Sequence, residues 1–135
     1  MSRKPAPQLP SGTRVGRVYG DCEILATLGK GGMGEVYRAV QRSLERTVAI
    51  KFISQEKYTD EVNRKRFLRE IRACSALQHP NIIKIYDYGE HEKDIYLVME
   101  LLEGEPLERF IDRAPEGLPR DFVIKVAEDL LEALA

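Results

Sequence analysis

The stretch Leu28 to Val40, LGKGGMGEVYRAV, places four glycines within six residues and then changes into an alternating apolar and polar run. A glycine inside ordered structure costs roughly 0.5 to 1 kcal/mol relative to alanine. Gly29, Gly31, Gly32 and Gly34 together are therefore a liability that a plain hairpin, which needs one or two such residues, does not explain. Something must come close to this backbone.

Two phosphate-binding loops share the spacing Gly29-Lys30-Gly31-Gly32-Met33-Gly34: a dinucleotide fingerprint and the glycine-rich flap of kinases. The first needs a helix to open at its third glycine, where the helix N-terminus holds the pyrophosphate. Here EVYRAV follows, with period-two alternation and two valines, so the loop joins two strands and favours the second reading. A Walker-type loop is excluded, since no Gly-Lys pair is followed by Ser or Thr. Residues without Cβ let backbone N–H groups approach polyphosphate oxygens. The bland alternative is a mobile hairpin tip.

Strand signals bracket the loop: CEILATL, EVYRAV and RTVAIKFI, with short polar or glycine-containing turns that favour an antiparallel meander. Helical spacing follows from Asp60 to Leu77, with Thr59 as the expected N-cap, and Pro80 ends it. IIKIYDYG and DIYLVMEL read as two more strands joined by the polar turn EHEK. After Gly104 come a short helix, PLERFID, and a longer one starting near Pro119. The chain is expected to be α+β: a five-stranded antiparallel sheet with one helix, then a short and a longer helix.

Alternation in TVAIKFI puts Ala49 and Lys51 on one strand face, about 6.6 Å apart along the strand. A flat apolar ring could rest on the alanine while the ammonium reaches phosphates; alternatively Lys51 simply snorkels into water. In the helix, Phe67, Ile71, Cys74 and Leu77 define the expected inward stripe, and Glu70 falls within it. A carboxylate there needs a partner, because an unpaired buried charge costs several kcal/mol. Arg66 offers an i,i+4 pair in the less favourable orientation, and Lys51 the stronger partner across the fold. A surface Glu70 is the competing reading.

With the loop, VAIK and the helix glutamate in this order, the chain resembles the protein kinase family. LGKGGMGEVYRA, HPNIIKIYDYGE and YLVMELLEGEPL are most similar to bacterial kinases of the eukaryotic serine/threonine type, and the likeness runs from Tyr19 to the last residue. Residues 1–18, with Pro5, Pro7 and Pro10 among basic residues, read from composition as a flexible, weakly basic tail; the resemblance implies an ATP-binding amino-terminal lobe and hinge over 19–103 and the start of a truncated helical lobe over 104–135. It implies ATP as cofactor, with Gly29, Lys30, Gly31, Gly32, Met33, Gly34 and Glu35 covering the phosphates. Leu28, Val36 and Ala49 would line the adenine slot, and Lys51 would contact the α- and β-phosphates, held by Glu70. Met99 matches the gatekeeper, and the Glu100 carbonyl and Leu102 amide would bond the adenine edge.

His79 and His91 are the only histidines, and neither is followed by the Arg-Asp of the family's catalytic loop; RDFV at 120–123 lacks the glycine of Asp-Phe-Gly. The catalytic base and the Mg2+ ligands expected of a whole kinase are thus absent from these residues. The chain alone is expected to be inactive, whether from a shortened reading frame or a genuine short product. The alternatives are a non-catalytic nucleotide- or partner-binding module and, disfavoured by the strand after Gly34, a dinucleotide-binding oxidoreductase fragment.

Composition narrows partners. Net charge is −1 with 32% charged residues, so no basic field points to nucleic acid. The longest apolar run, Ile95 to Met99, is far below the roughly 20 residues of a membrane helix, and with no secretory leader Cys22 and Cys74 read as free thiols of the cytoplasm. Protein substrates are the family's expectation. The apolar helix from Phe122 to Leu134 is expected to be buried in a complete lobe and otherwise to drive self-association or aggregation.

Overall fold

Strict alternation along RTVAIKFI gives the molecule its central strand. In β4 (Arg46–Ile53) Val48, Ile50 and Phe52 point to one side and Ala49, Lys51 and Ile53 to the other. The computed structural model describes residues 14–31, 34–53, 58, 60–92 and 94–135. Gly32 and Met33, at the tip of the glycine loop, and Thr59, the expected N-cap, lie outside the described residues.

Before β4 come β1 (Val18–Tyr19), β2 (Cys22–Gly31) and β3 (Gly34–Gln41); after it come α1 (Glu61–Ser75), β5 (Ile85–His91), β6 (Asp94–Met99), α2 (Leu107–Asp112) and α3 (Arg120–Leu134). The six strands form one sheet ordered β1-β2-β3-β4-β6-β5, antiparallel throughout. The α+β expectation holds, with one strand more than expected.

That extra strand corrects the end of the tail, whose residues 1–13 lie outside the described residues. Residues up to 18 read as a flexible leader because the stretch is basic and proline-rich, yet Val18 pairs with Glu23, Gly16 N–H donates to the Ile24 carbonyl, and Ile24 N–H donates to Arg17. A two-residue strand carries no detectable periodicity. Its value is Tyr19, which is buried and meets Phe52, Tyr96 and His91 edge-on, with ring centroids 4.7, 5.8 and 5.3 Å away. Because His91 belongs to the opposite sheet edge, these contacts curl the sheet around one core of Tyr19, Ile24, Tyr37, Val48, Ile50, Phe52 and Val98. Tyr96 lies over Gly89, where an added Cβ would stand 2.4 Å from its hydroxyl.

The other face carries α1. Ile71 of the helix packs on Ile95 and Leu97, with Phe67, Leu68, Ile53 and Met99 around them. Asp60 caps the helix, its side chain accepting from the Asn63 N–H. The inward stripe is turned from the expected one: Leu68 lies inside, whereas Cys74 and Leu77 are exposed. An apolar Leu68 against the sheet is favoured over a buried Glu70, whose desolvation costs several kcal/mol without a strong partner.

Beyond β6 the chain leaves the sheet. Phe110 of α2 stacks on Phe122 of α3 at 5.4 Å, and Asn81 Nδ2 donates to the Asp129 carbonyl at 2.8 Å. Val123, Ile124, Leu130, Leu131 and Leu134 of α3 are exposed.

Candidate functional site

Backbone register places the sequence-predicted residues on one face. Lys51 pairs across with Val36 on β3 and Leu97 on β6, and Ala49 pairs with Met99. Directly paired residues share a sheet face. Val36, Ala49, Lys51 and Met99 therefore sit on the same side as α1, beside the Ile71, Ile95 and Leu97 cluster. Ala49 is buried, and Lys51 is half-buried with no ion pair among the described residues. A bulge between Thr27 and Gly29 falls at Leu28, which is exposed.

The loop glycines separate into two kinds. Gly34 has φ +132°, and a Cβ built there would lie 1.9 Å from the Phe52 carbonyl oxygen. The fold itself favours glycine there, because Gly34 sits opposite Ile53 in the β3–β4 ladder and its positive φ would aim a Cβ at the Phe52 carbonyl. Gly29 and Gly31 have ordinary φ values and nothing within 4 Å of a built Cβ. Nothing in the described fold accounts for them, and their open side leaves the β2 backbone approachable.

Lys30 and Glu35 face each other across the hairpin, Nζ to Oε1 at 3.4 Å. Glu35 also accepts from the Tyr37 hydroxyl at 2.6 Å and from Arg14 Nε at 3.3 Å, so its side chain is spoken for within the protein. The Tyr37 bond, with Lys30 and Arg14, holds the Glu35 carboxyl below its usual value against the opposing effect of burial. Burial and the same bond push the Tyr37 phenol up to about 12.

The linkage sign follows from the Glu35 direction. A lowered carboxyl favours the ionised folded state, so its contribution is fully present above the usual 4.5 and is lost as pH falls through the lowered value. Urea midpoints measured at pH 7 and pH 3 are expected to fall less in Glu35→Gln than in the parent chain.

At the end of β6, the Glu100 N–H donates to the Lys84 carbonyl at 2.9 Å, while Glu100 Oε2 accepts from the Lys84 N–H at 3.3 Å. The Glu100 carbonyl and the Leu102 amide have no hydrogen-bond partner among the described residues. Leu102 itself is exposed. One donor and one acceptor thus remain open just past Met99, the pattern that a heterocycle edge satisfies.

Glu70 departs from the expectation that it meets Lys51. Its side chain is 60% exposed and pairs along the helix with Arg66, Nε to Oε1 at 3.4 Å. The rotated stripe is the cause, since Glu70 lies beside Ile71 and not over the sheet. Lys51 and Glu70 nonetheless belong to the same side of the molecule, since α1 covers the Lys51 face. The helix is tied to β5 by the Arg64–Glu90 pair and by Arg72 Nε donating to the Tyr88 hydroxyl at 2.8 Å. Sequence reasoning missed Arg14, which bridges the glycine hairpin to Asp94.

No cluster of three or more His, Cys, Asp or Glu side chains fit to hold a metal ion occurs among the described residues. The residues present are a small buried alanine, an ammonium without an ion pair among the described residues, an open glycine backbone and two open backbone groups past β6.

Residues 22–135 match the family described as protein kinase domain. Among similar proteins, serine/threonine-protein kinase PknH of Mycobacterium bovis is 42% identical over 113 residues, covering 83% of this chain and 19% of the relative. Serine/threonine-protein kinase PrkC of Bacillus subtilis is 38% identical over 119 residues, covering 88% of this chain and 18% of the relative. The chain therefore spans about a fifth of the length of these relatives. The crystal structure of the Mycobacterium tuberculosis PknI kinase domain superposes with a TM-score of 0.80 at 28% identity, covering 88% of this chain and 48% of that one.

Proposed function

Since this chain belongs to the protein kinase domain family, we propose that residues 19–103 form the ATP-binding lobe and hinge of a serine/threonine protein kinase, and that 104–135 begin its helical lobe. The observation that carries the reading is the contrast among the glycines. Gly34 is hemmed in by the Phe52 carbonyl, whereas Gly29 and Gly31 border open space on the hairpin whose Val36 pairs with both Gly29 and Lys51.

ATP, when bound, supplies the phosphoryl group for a protein serine or threonine. The chain's own residues bind and orient. Val36, Ala49 and Met99 offer an apolar seat for the base, the Glu100 carbonyl and Leu102 amide fix its edge, and Lys51 neutralises phosphate charge. Leu28, at the bulge, would close the slot from above, and the loop through Gly32 and Met33 would cover the phosphates. The Mg2+ expected of such kinases has no fitting donor set among the described residues, and no step is assigned to it.

Glu70 would join Lys51 only if α1 turned about its axis and the Arg66 pair gave way. That exposed pair is worth at most about 0.5 kcal/mol, so it is a weak restraint. In the present arrangement Lys51 acts without it, which favours a second reading, a lobe that binds nucleotide without transferring phosphate. No helix among the described residues is long and apolar enough to cross a membrane, and ATP as ligand points to action in the cytoplasm. The exposed row on α3 suits burial in a helical lobe, and in the isolated polypeptide it favours self-association.

Thermal-shift titration tests the proposal. A non-hydrolysable ATP analogue is expected to raise the melting temperature and NAD to leave it unchanged. Lys51→Met should weaken analogue binding tenfold or more while leaving ligand-free stability within about 0.5 kcal/mol, because the lysine has no ion-pair partner to lose among the described residues. The 135-residue polypeptide by itself is expected to transfer no phosphate to a generic serine/threonine substrate. Equal affinity for NAD, or an unchanged analogue affinity in Lys51→Met, would refute the nucleotide assignment.

A further inference from the structure

We infer that Arg14 is a positioning residue for the glycine-rich hairpin, so that the segment ahead of β1 sets how tightly that hairpin closes on a nucleotide; the affinity part of this inference rests on the ATP-binding reading above. Arg14 precedes the first strand, yet its guanidinium reaches four elements, β1, β3, β4 and β6. Nε donates to Glu35 Oε2 at 3.3 Å, and Nη1 donates to Asp94 Oδ2 at 2.6 Å and to the Tyr19 hydroxyl at 3.0 Å. The guanidinium carbon lies 4.0 Å from the centre of the Phe52 ring. A planar fork with five donors can hold two carboxylates and stack at once, which an ammonium cannot.

Glu35 passes this restraint to the hairpin. It is the residue after Gly34, it faces Lys30 across the strands, and its carboxylate accepts from Lys30, Tyr37 and Arg14 together. Both strands of the hairpin are thereby linked to a residue outside it. Packing does not provide the same hold. The end of the hairpin borders a cavity of about 290 Å³ lined by Arg14, Gly31, Gly34, Glu35, Phe52 and Asp94, among others. β1 pairs with Cys22 and Glu23 of β2, so among the described residues Gly29 to Gly31 have β3 as their single strand neighbour. With a cavity on one side and one neighbouring strand, the height of the hairpin is governed by the polar bonds that end on Arg14.

Removing the guanidinium would leave Asp94 without its ion-pair partner and Glu35 with Tyr37 and Lys30 alone. The main consequence is expected at the hairpin: of the core, Arg14 meets Tyr19 and Phe52, while no bond or ring contact among the described residues ties it to Ile50, Val98 or α1.

The test is amide hydrogen exchange on the full chain without nucleotide, combined with ATP-analogue affinity, for Arg14→Met, Arg14→Lys and Asp94→Asn. Methionine keeps an apolar stem over Phe52 and removes the charge. Exchange at Gly29, Gly31 and Glu35 is expected to speed up tenfold or more in Arg14→Met while Ile50 and Ile71 stay unchanged, with analogue binding five- to twentyfold weaker. Arg14→Lys should recover only part of both effects, and Asp94→Asn should disturb the hairpin less than Arg14→Met, because the Arg14–Glu35 bond remains. Unchanged hairpin exchange in Arg14→Met, or acceleration spread evenly over the sheet, would overturn the inference. Should the parent chain bind no analogue, the ATP-binding reading falls, and the exchange pattern alone decides whether Arg14 positions the hairpin.

Discussion

Gly34→Ala is expected to destabilise the chain by about 3 kcal/mol or more, whereas Gly31→Ala should leave the melting temperature within about two degrees of the parent. The difference lies in what each new methyl group meets. At position 34 the backbone has φ +132° and the Phe52 carbonyl oxygen stands 1.9 Å from the Cβ, so β3 and β4 must separate or twist. Side-chain adjustment cannot relieve the overlap, because the obstructing atom is backbone held in the β3–β4 ladder. At position 31 no atom lies within 4 Å, and the cost of alanine should appear in nucleotide affinity and not in folding. Chemical denaturation and analogue titration on both variants separate the two. A Gly34→Ala protein as stable as the parent would show that the β3–β4 ladder yields at the Phe52 carbonyl without cost.

A comparable loss is expected from Tyr37→Ala. Tyr37 is fully buried, meets Phe52 edge-on with centroids 5.7 Å apart, and donates to Glu35 at 2.6 Å. Truncating a buried aromatic costs about 3 to 5 kcal/mol, a large share of the 5 to 15 kcal/mol that holds an ordinary domain. Tyr37→Phe keeps the ring and loses only a charge-assisted hydrogen bond, so about 1.5 to 3 kcal/mol is expected. Urea unfolding followed by far-ultraviolet dichroism measures both. If the two variants cost the same, the hydroxyl and not the ring would be the dominant contribution.

Local signals made much of this molecule readable. VAIK sits where alternation put it, with Lys51 on the α1 side and Val48, Ile50 and Phe52 in the core. The hairpin, the two later strands and the helices after Gly104 follow from periodicity and turn residues. What escaped depended on distant partners. Arg14 lies 21 residues from Glu35 and 80 from Asp94, and nothing in its neighbourhood distinguishes it from a solvated tail residue. Glu70 was misplaced for a different reason: the i,i+3 and i,i+4 pattern allows two overlapping stripes, and burial energy selects the one with Leu68. Gly34 stood out by composition, but its close approach to β4 needed the Phe52 carbonyl to be located in space.

Burial pushes the Cys22 thiol up, whereas Cys74 lies open on the outer side of α1. A maleimide dye would thus attach at Cys74 in preference to Cys22, one helical turn beyond Glu70, with no substitution needed. The helix whose rotation decides whether Glu70 can meet Lys51 already carries a native attachment point for a fluorescent reporter of that rotation.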